Sequence, residues 1–144
     1  MTRDELLDQL LDERAILRAL HEYAHSMDYG DEEAWVGAFS SDAVFNVFRA
    51  VERTLIHREE GRDDLARYVA NYPKPPRFRK HIVVDPLIDI HDDEASVRAY
   101  WVLLERDDDT GTPVLAAFGR YDDVLRKVDG KWVIADRQAS VEAM

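Results

Sequence analysis

Apolar side chains recur at helical spacing along residues 4–29, at Leu6, Leu10, Leu17, Leu20, Ala24 and Met27, and Gly30 follows as a stop. The pattern predicts one long amphipathic helix with this stripe turned inward. Asp31 can cap a second, shorter helix, "EEAWVGAF", whose Glu32 and Glu33 lie where the helix dipole favours acids. Trp35 and Phe39, four apart, then face inward together. "DAVFNVFRAVERTLIH" reads as two short strands, and "GRDDLARYVANY" as a third helix stopped by the prolines of "YPKPP".

From residue 77 the period changes to that of strands: "RFRKHIVVDPLIDI", "ASVRAYWVLLERD", "VLAAFGRYDDVLRKV" and "KWVIADRQASV", with turn signals between them. Asp129-Gly130 between apolar runs is a strong hairpin signal, and an antiparallel meander follows. Helices first and sheet after predict a single α+β domain over residues 1–144, its antiparallel sheet covered on one face by the amino-terminal helices. Several strand centres are apolar on both alternating sets: Val97, Ala99, Trp101 and Leu103 on one, Tyr100, Val102 and Leu104 on the other. A half-solvated sheet normally alternates apolar with polar, so the second face is expected to be covered by another copy, in a homodimer through the sheet.

Composition narrows the partners. Against 19 Lys and Arg stand 30 Asp and Glu, a formal charge of −11 that repels phosphate backbones and anionic headgroups, so neither nucleic acid nor membrane is expected as a partner. The absence of cysteine excludes disulfides and thiolate ligands. "MTRDELLDQLLDER" is too acidic and interrupted for a signal peptide, and no apolar run approaches the roughly 18 residues of a membrane span. A cytoplasmic location is the default expectation.

Candidate chemistry begins with Asp28, which the helical wheel puts inside the apolar stripe, with Tyr23 at its other edge. A carboxylate there loses hydration and meets the unfavourable end of the helix dipole, so it requires a cationic or hydrogen-bonding partner. If the helix instead frays before it, Asp28 is only a turn residue in "MDYGD". The best partner is His81 in "RFRKHIVV", at the point where a strand passes from polar to apolar. Carboxylate, imidazole and phenol together form an acid–base set: the acid orients the imidazole, the imidazole takes a proton, and the phenol donates to an oxygen gaining charge.

The chain resembles the SnoaL-like branch of the nuclear transport factor 2-like superfamily, which includes scytalone dehydratase, bile-acid dehydratase, steroid isomerase-like and polyketide cyclase members. "ILRALHEYAHSMDYGDEEAWVGAFSSDAVF" is similar to its helix–helix–strand opening, "RKHIVVDPLIDI" to its His-bearing strand, and "GRYDDVLRKVDGKWVIADR" to its terminal hairpin. The resemblance implies a cone-shaped α+β barrel, a strongly curved sheet with the helices on its concave face. It implies a cofactor-independent dehydratase, isomerase or cyclase acting on a small, largely apolar polyketide-, aromatic- or steroid-like substrate. The catalytic positions carried over are Tyr23, Asp28 and His81. Arg137, in "WVIADR", resembles a basic residue that in some members points into the cavity. The second active-site histidine of scytalone dehydratase-like sites has no counterpart, since His91 lies in an acidic turn and His57 near a strand end. In a carrier or accessory subunit of the same fold, Asp28 and His81 are merely a buried structural pair.

Other clusters read more simply. His21 and His25 approach Asp28 along the helix but lie toward its polar face, and nothing supplies further ligands, so no metal is expected. "ERDDDTG" lacks the spacing of a calcium loop. Ser40 and Ser41 suit turn duty, and the basic run Arg77, Arg79 and Lys80, which could guide an anionic substrate, reads more simply as a guard against aggregation on an edge-proximal strand. Among the strand aromatics, Phe45, Trp101, Phe118 and Tyr121 are candidates for lining a substrate pocket.

Overall fold

A computed structural model of the protein describes residues 1–144. Helix α1 (Arg3–Tyr29) is opened by a reciprocal cap between Thr2 and Glu5 and closed by Gly30 in the left-handed conformation, φ 76°. It carries through Asp28 without fraying. Helix α2 (Glu32–Gly37) starts at Asp31, whose side chain accepts from the Ala34 amide. Strands β1 (Phe39–Arg49) and β2 (Thr54–Glu60) form a hairpin, and helix α3 (Gly61–Ala70) follows. Strands β3 (Lys80–His91), β4 (Glu94–Arg106), β5 (Pro113–Val128) and β6 (Lys131–Ala143) then run as a meander. No helix is long and apolar enough to cross a membrane.

The six strands form one curved, unclosed sheet in the order β2-β1-β6-β5-β4-β3. It is not antiparallel throughout: β1 and β6 pair in parallel. The chain leaves the β1–β2 hairpin through α3 and rejoins the sheet at its far edge as β3, which leaves the inner side of β1 free to receive the last strand. That crossover packs α3 against β1 and β2, beside α2.

The core lies between the concave face and the helices. Trp35 and Phe39 stack edge-on at 4.8 Å and are joined by Phe45, Tyr23 and Tyr68 in a continuous aromatic cluster. Each such pair adds about 0.5–1.5 kcal/mol beyond the burial of its surface. Along α1 the buried positions are Ile16, Ala19, Leu20, Tyr23, Ala24, Ser26 and Met27. Leu6 and Leu10, expected inside, are exposed, together with Leu7 and Leu11. The sheet ends where Asp12 meets Trp132 and Lys127, beside the β5–β6 turn, so the first turns of α1 have nothing to cover.

On β4 and β5 one alternating set is buried and the other is not. Ala95, Val97, Ala99, Trp101 and Leu103 face inward, while Tyr100 and Leu104 face out beside Phe118 and Leu115. At the register shift beside Gly119 the neighbouring strand β6 leaves no room for a side chain: a Cβ there would lie 1.8 Å from the Ser140 carbonyl oxygen and 3.0 Å from Trp101 Nε1. Its absence lets the Trp101 indole donate to the Ser140 carbonyl at 3.1 Å and stay flat against Tyr121.

Candidate active site

Asp28 sits two residues before the left-handed stop of α1, and its carboxylate reaches the first turn of β3. One oxygen accepts from the His81 backbone amide at 2.8 Å and the other from His81 Nδ1 at 2.6 Å. The two side chains are 5% and 9% exposed, so water competes weakly for these bonds. The partner that a buried carboxylate requires is thus found in a residue 53 positions away, bound through its main chain and its ring at once. With Asp28 accepting from Nδ1–H, Nε2 carries the free lone pair, the arrangement that a general base needs.

Nε2 faces a cavity of about 160 Å³ whose lining is almost entirely apolar or aromatic, His81 being the exception. Tyr23, Phe45, Trp101 and Tyr121, four of the residues expected from the sequence, line it together with His81. Met144 lies at its rim, mostly exposed, and marks the opening. Phe118 does not belong to it. Its neighbours Ala117 and Gly119 point inward, so strand alternation turns Phe118 to the outer face, where it is 43% exposed.

Arg137 does not reach the cavity either. It is fully buried, donating to both Asp123 oxygens at 2.9 and 2.7 Å, with Nη1 left unpartnered. Its guanidinium lies 4.2 Å from the Tyr23 ring centre and 3.7 Å from that of Tyr121, so two aromatic faces separate it from the hollow. Burial pulls its pKa down, but the Asp123 carboxylate more than reverses this, and the net direction is up. Asp123 is raised by burial against the opposing pull of Arg137. The cation is permanent, and the pair holds Tyr23 and Tyr121 in place from behind.

Tyr72 was not singled out by the sequence. It follows the last turn of α3, four residues after Tyr68, and its hydroxyl lies 3.4 Å from His81 Nε2. The spacing of two tyrosines on one helical face was the available signal, obscured because "YPKPP" reads as a terminator. Lys74, donating to the Val69 carbonyl and paired with Glu32, fixes the chain just beyond it. Burial raises the pKa of Tyr72, and likewise of Tyr23, Tyr68 and Tyr121, so all four phenols are neutral donors at physiological pH.

His21 and His25 are exposed on α1 and turned away from this site, and no three His, Asp or Glu side chains gather as a metal-binding set. His57 packs its ring against Tyr68 outside the dyad.

A family model described as a SnoaL-like domain matches residues 8–138. No curated protein matches the chain. Among solved structures, an NTF2-like protein with a cystatin-like fold from Novosphingobium aromaticivorans is 18% identical, with TM-score 0.83, over 96% of this chain and 86% of that one. A scytalone dehydratase candidate from the same organism is 24% identical, with TM-score 0.76, over 94% and 87%. ActVI-ORFA from Streptomyces coelicolor is 16% identical, with TM-score 0.76, over 90% and 96%. At these identities the likeness is one of fold.

Proposed function

The chain belongs to the SnoaL-like family, and on that premise we propose that it is a cofactor-independent acid–base enzyme, a dehydratase, isomerase or cyclase, acting on a small, largely apolar molecule. One observation carries the reading: a desolvated carboxylate clamps His81 by backbone and ring while Nε2 looks into an apolar hollow open at one end.

In this reaction Nε2 removes a proton from a carbon next to a carbonyl or conjugated system. The C–H bond breaks, an N–H bond forms, and the electron pair moves toward the substrate oxygen. Asp28 stabilises the imidazolium so produced, much as the buried acid does in a hydrolase triad. A phenol, Tyr23 or Tyr72, donates to the oxygen as its charge grows; both line the cavity and both hold their protons. The captured electrons then expel a hydroxyl, which leaves as water with the proton returned by the imidazolium, or recapture that proton at another carbon, or close a ring onto a carbonyl of the same molecule whose oxygen takes the proton. The dyad, the phenols and the substrate's own carbonyl complete the cycle, so no cofactor enters the scheme.

The test compares His81→Ala with Asp28→Asn against a panel of cyclic hydroxyketones, reading turnover and ligand affinity separately. Turnover lost at unchanged affinity supports the enzyme; unaltered turnover in His81→Ala removes His81 from the mechanism. A folded protein that binds such ligands and never turns one over supports a carrier.

We also propose that a second copy covers the outer sheet face, where Tyr100, Leu115 and Phe118 stand exposed among Arg98, Arg120 and Asp122, charges of both signs able to pair across a symmetric contact. Sedimentation at micromolar concentration is expected to give a dimer that Tyr100→Asp dissociates; a monomeric wild type overturns this.

A further inference from the structure

The cavity's electrostatics specify more of its ligand than the dyad does. Four phenols, from Tyr23, Tyr68, Tyr72 and Tyr121, contribute its lining, so the polar hydrogens it offers are hydrogen-bond donors on neutral groups. The two guanidiniums stacked on its tyrosines are each matched by a carboxylate, and the Lys80 ammonium lies over the Tyr29 ring, outside the cavity. Arg137 is held by Asp123 behind two rings, and Arg79, 5.1 Å from the Tyr72 ring centre, reaches Glu105 at 3.0 Å. His81, when protonated, is matched by Asp28. An anionic ligand entering here would lose its hydration and find no unspent positive charge, a penalty of several kcal/mol for an isolated carboxylate. The protein's net charge of −11 adds repulsion at longer range.

Size is the second constraint. At about 160 Å³ the hollow is close to the roughly 150 Å³ engineered cavity that admits benzene. A single six-membered ring fills it, and a fused skeleton has to extend through the rim beside Met144.

We infer that the site selects a neutral, single-ring molecule bearing oxygen acceptors and rejects carboxylates of the same shape, with Tyr72 as a specificity-determining donor. This rests on the cavity assigned above to proton transfer and names its substrate class. Tyr72 fits the role because its hydroxyl lies beside the base, 3.4 Å from Nε2, where a ligand oxygen can accept its hydrogen. A ligand oxygen placed there accepts a hydrogen bond from the phenol, whereas an apolar ring of the same shape offers the phenol no acceptor.

Four probes test this in an NMR titration that follows the Met27 methyl in the cavity wall: acetophenone, benzoate, ethylbenzene and 2-acetylnaphthalene, at neutral pH. Acetophenone is expected to bind at least about tenfold more tightly than benzoate and ethylbenzene, with the bicyclic ketone weaker than the monocyclic one. Tyr72→Phe is expected to bring acetophenone down to the affinity of ethylbenzene, while Tyr29→Phe, outside the cavity, leaves the ranking intact. Benzoate binding as tightly as acetophenone, a preference for the bicyclic probe, an unchanged ranking in Tyr72→Phe, or no binding of acetophenone each overturns the inference. Because no probe has to react, the expected ranking in a protein without turnover upholds the ligand class and removes the enzyme, and the reverse ranking in an active one does the opposite.

Discussion

In two buried pairs near the hollow, Asp28 with His81 and Asp123 with Arg137, a carboxylate accepts two hydrogen bonds from its partner residue. They differ in what remains free. Arg137 is wholly enclosed and cannot give up its proton, so its pair is a fixed dipole that props up Tyr23 and Tyr121. His81 keeps Nε2 on the cavity side, met there only by the Tyr72 hydroxyl at 3.4 Å, so a substrate can reach it. Burial and a carboxylate make a support; a site also needs a lone pair that a substrate can reach from the cavity side.

The largest effect is expected at the fixed pair. Arg137→Ala leaves Asp123 uncompensated in the core, and breaking a buried pair this way costs about 3–5 kcal/mol, measurable by urea denaturation. Replacing both, with Arg137→Met and Asp123→Leu, is expected to recover most of that loss. A single variant as stable as wild type would show that the pair supports nothing.

At the open pair the loss falls on rate. His81→Ala is expected to reduce turnover by roughly 10²–10⁴-fold, the range of a positioned general base, with near-native thermal stability. If His81→Ala unfolds the protein while Arg137→Ala leaves it folded and inactive, the assignment of support and site is reversed.

The phenols between the two pairs give a pH signature. Burial holds Tyr23, Tyr68, Tyr72 and Tyr121 neutral beyond the ordinary value of about 10. Unfolded tyrosines ionise near 10, so above that pH the unfolded state binds fewer protons and stability falls as pH rises. Absorbance at the phenolate band is expected to rise together with loss of far-ultraviolet ellipticity. Ionisation of these four near pH 10 in an intact fold would remove their role as donors.

A smaller effect belongs to a third carboxylate. Asp12 is lowered below the usual range, first by the Trp132 indole hydrogen bond and then by Lys127, against the opposite pull of burial. A depressed acid contributes its stability above the unfolded value near 3.9 and loses it as pH falls through the folded one. Asp12→Asn is expected to cost about 1 kcal/mol at pH 7, vanishing in acid; a difference that persists at pH 2 would mean packing, not charge.

The open pair was legible and the fixed one was not, for reasons visible in the strands. Asp28 betrayed itself by standing on an apolar stripe, and His81 by marking where a strand turns from polar to apolar. Asp123 and Arg137 depend on a slip. Counting back from Asp129-Gly130 without interruption puts Asp123 opposite Asp136, two acids facing each other, and no reader of the pattern would join it to Arg137. A register shift at Val124 and Leu125 moves the pairing by one and brings Arg137 opposite Asp123. Tyr72 was hidden differently, since proline-rich punctuation shows where a helix ends and not where its final side chain comes to rest. The parallel pairing of β1 with β6 depends on the crossover through α3 to the far edge of the sheet, which no local pattern encodes.

The grip of Asp28 on His81 through main chain and ring has an evolutionary corollary. Helix docking and the aim of the base share one anchor, so drift in either is penalised through the other, and the reactive apparatus is insulated from gradual change. Diversification toward new ligands is then channelled into the walls, where Val47, Leu103, Ala117 and Val141 can be exchanged without disturbing that anchor. A randomised library confined to those four positions should yield altered selectivity far more often than one centred on Asp28.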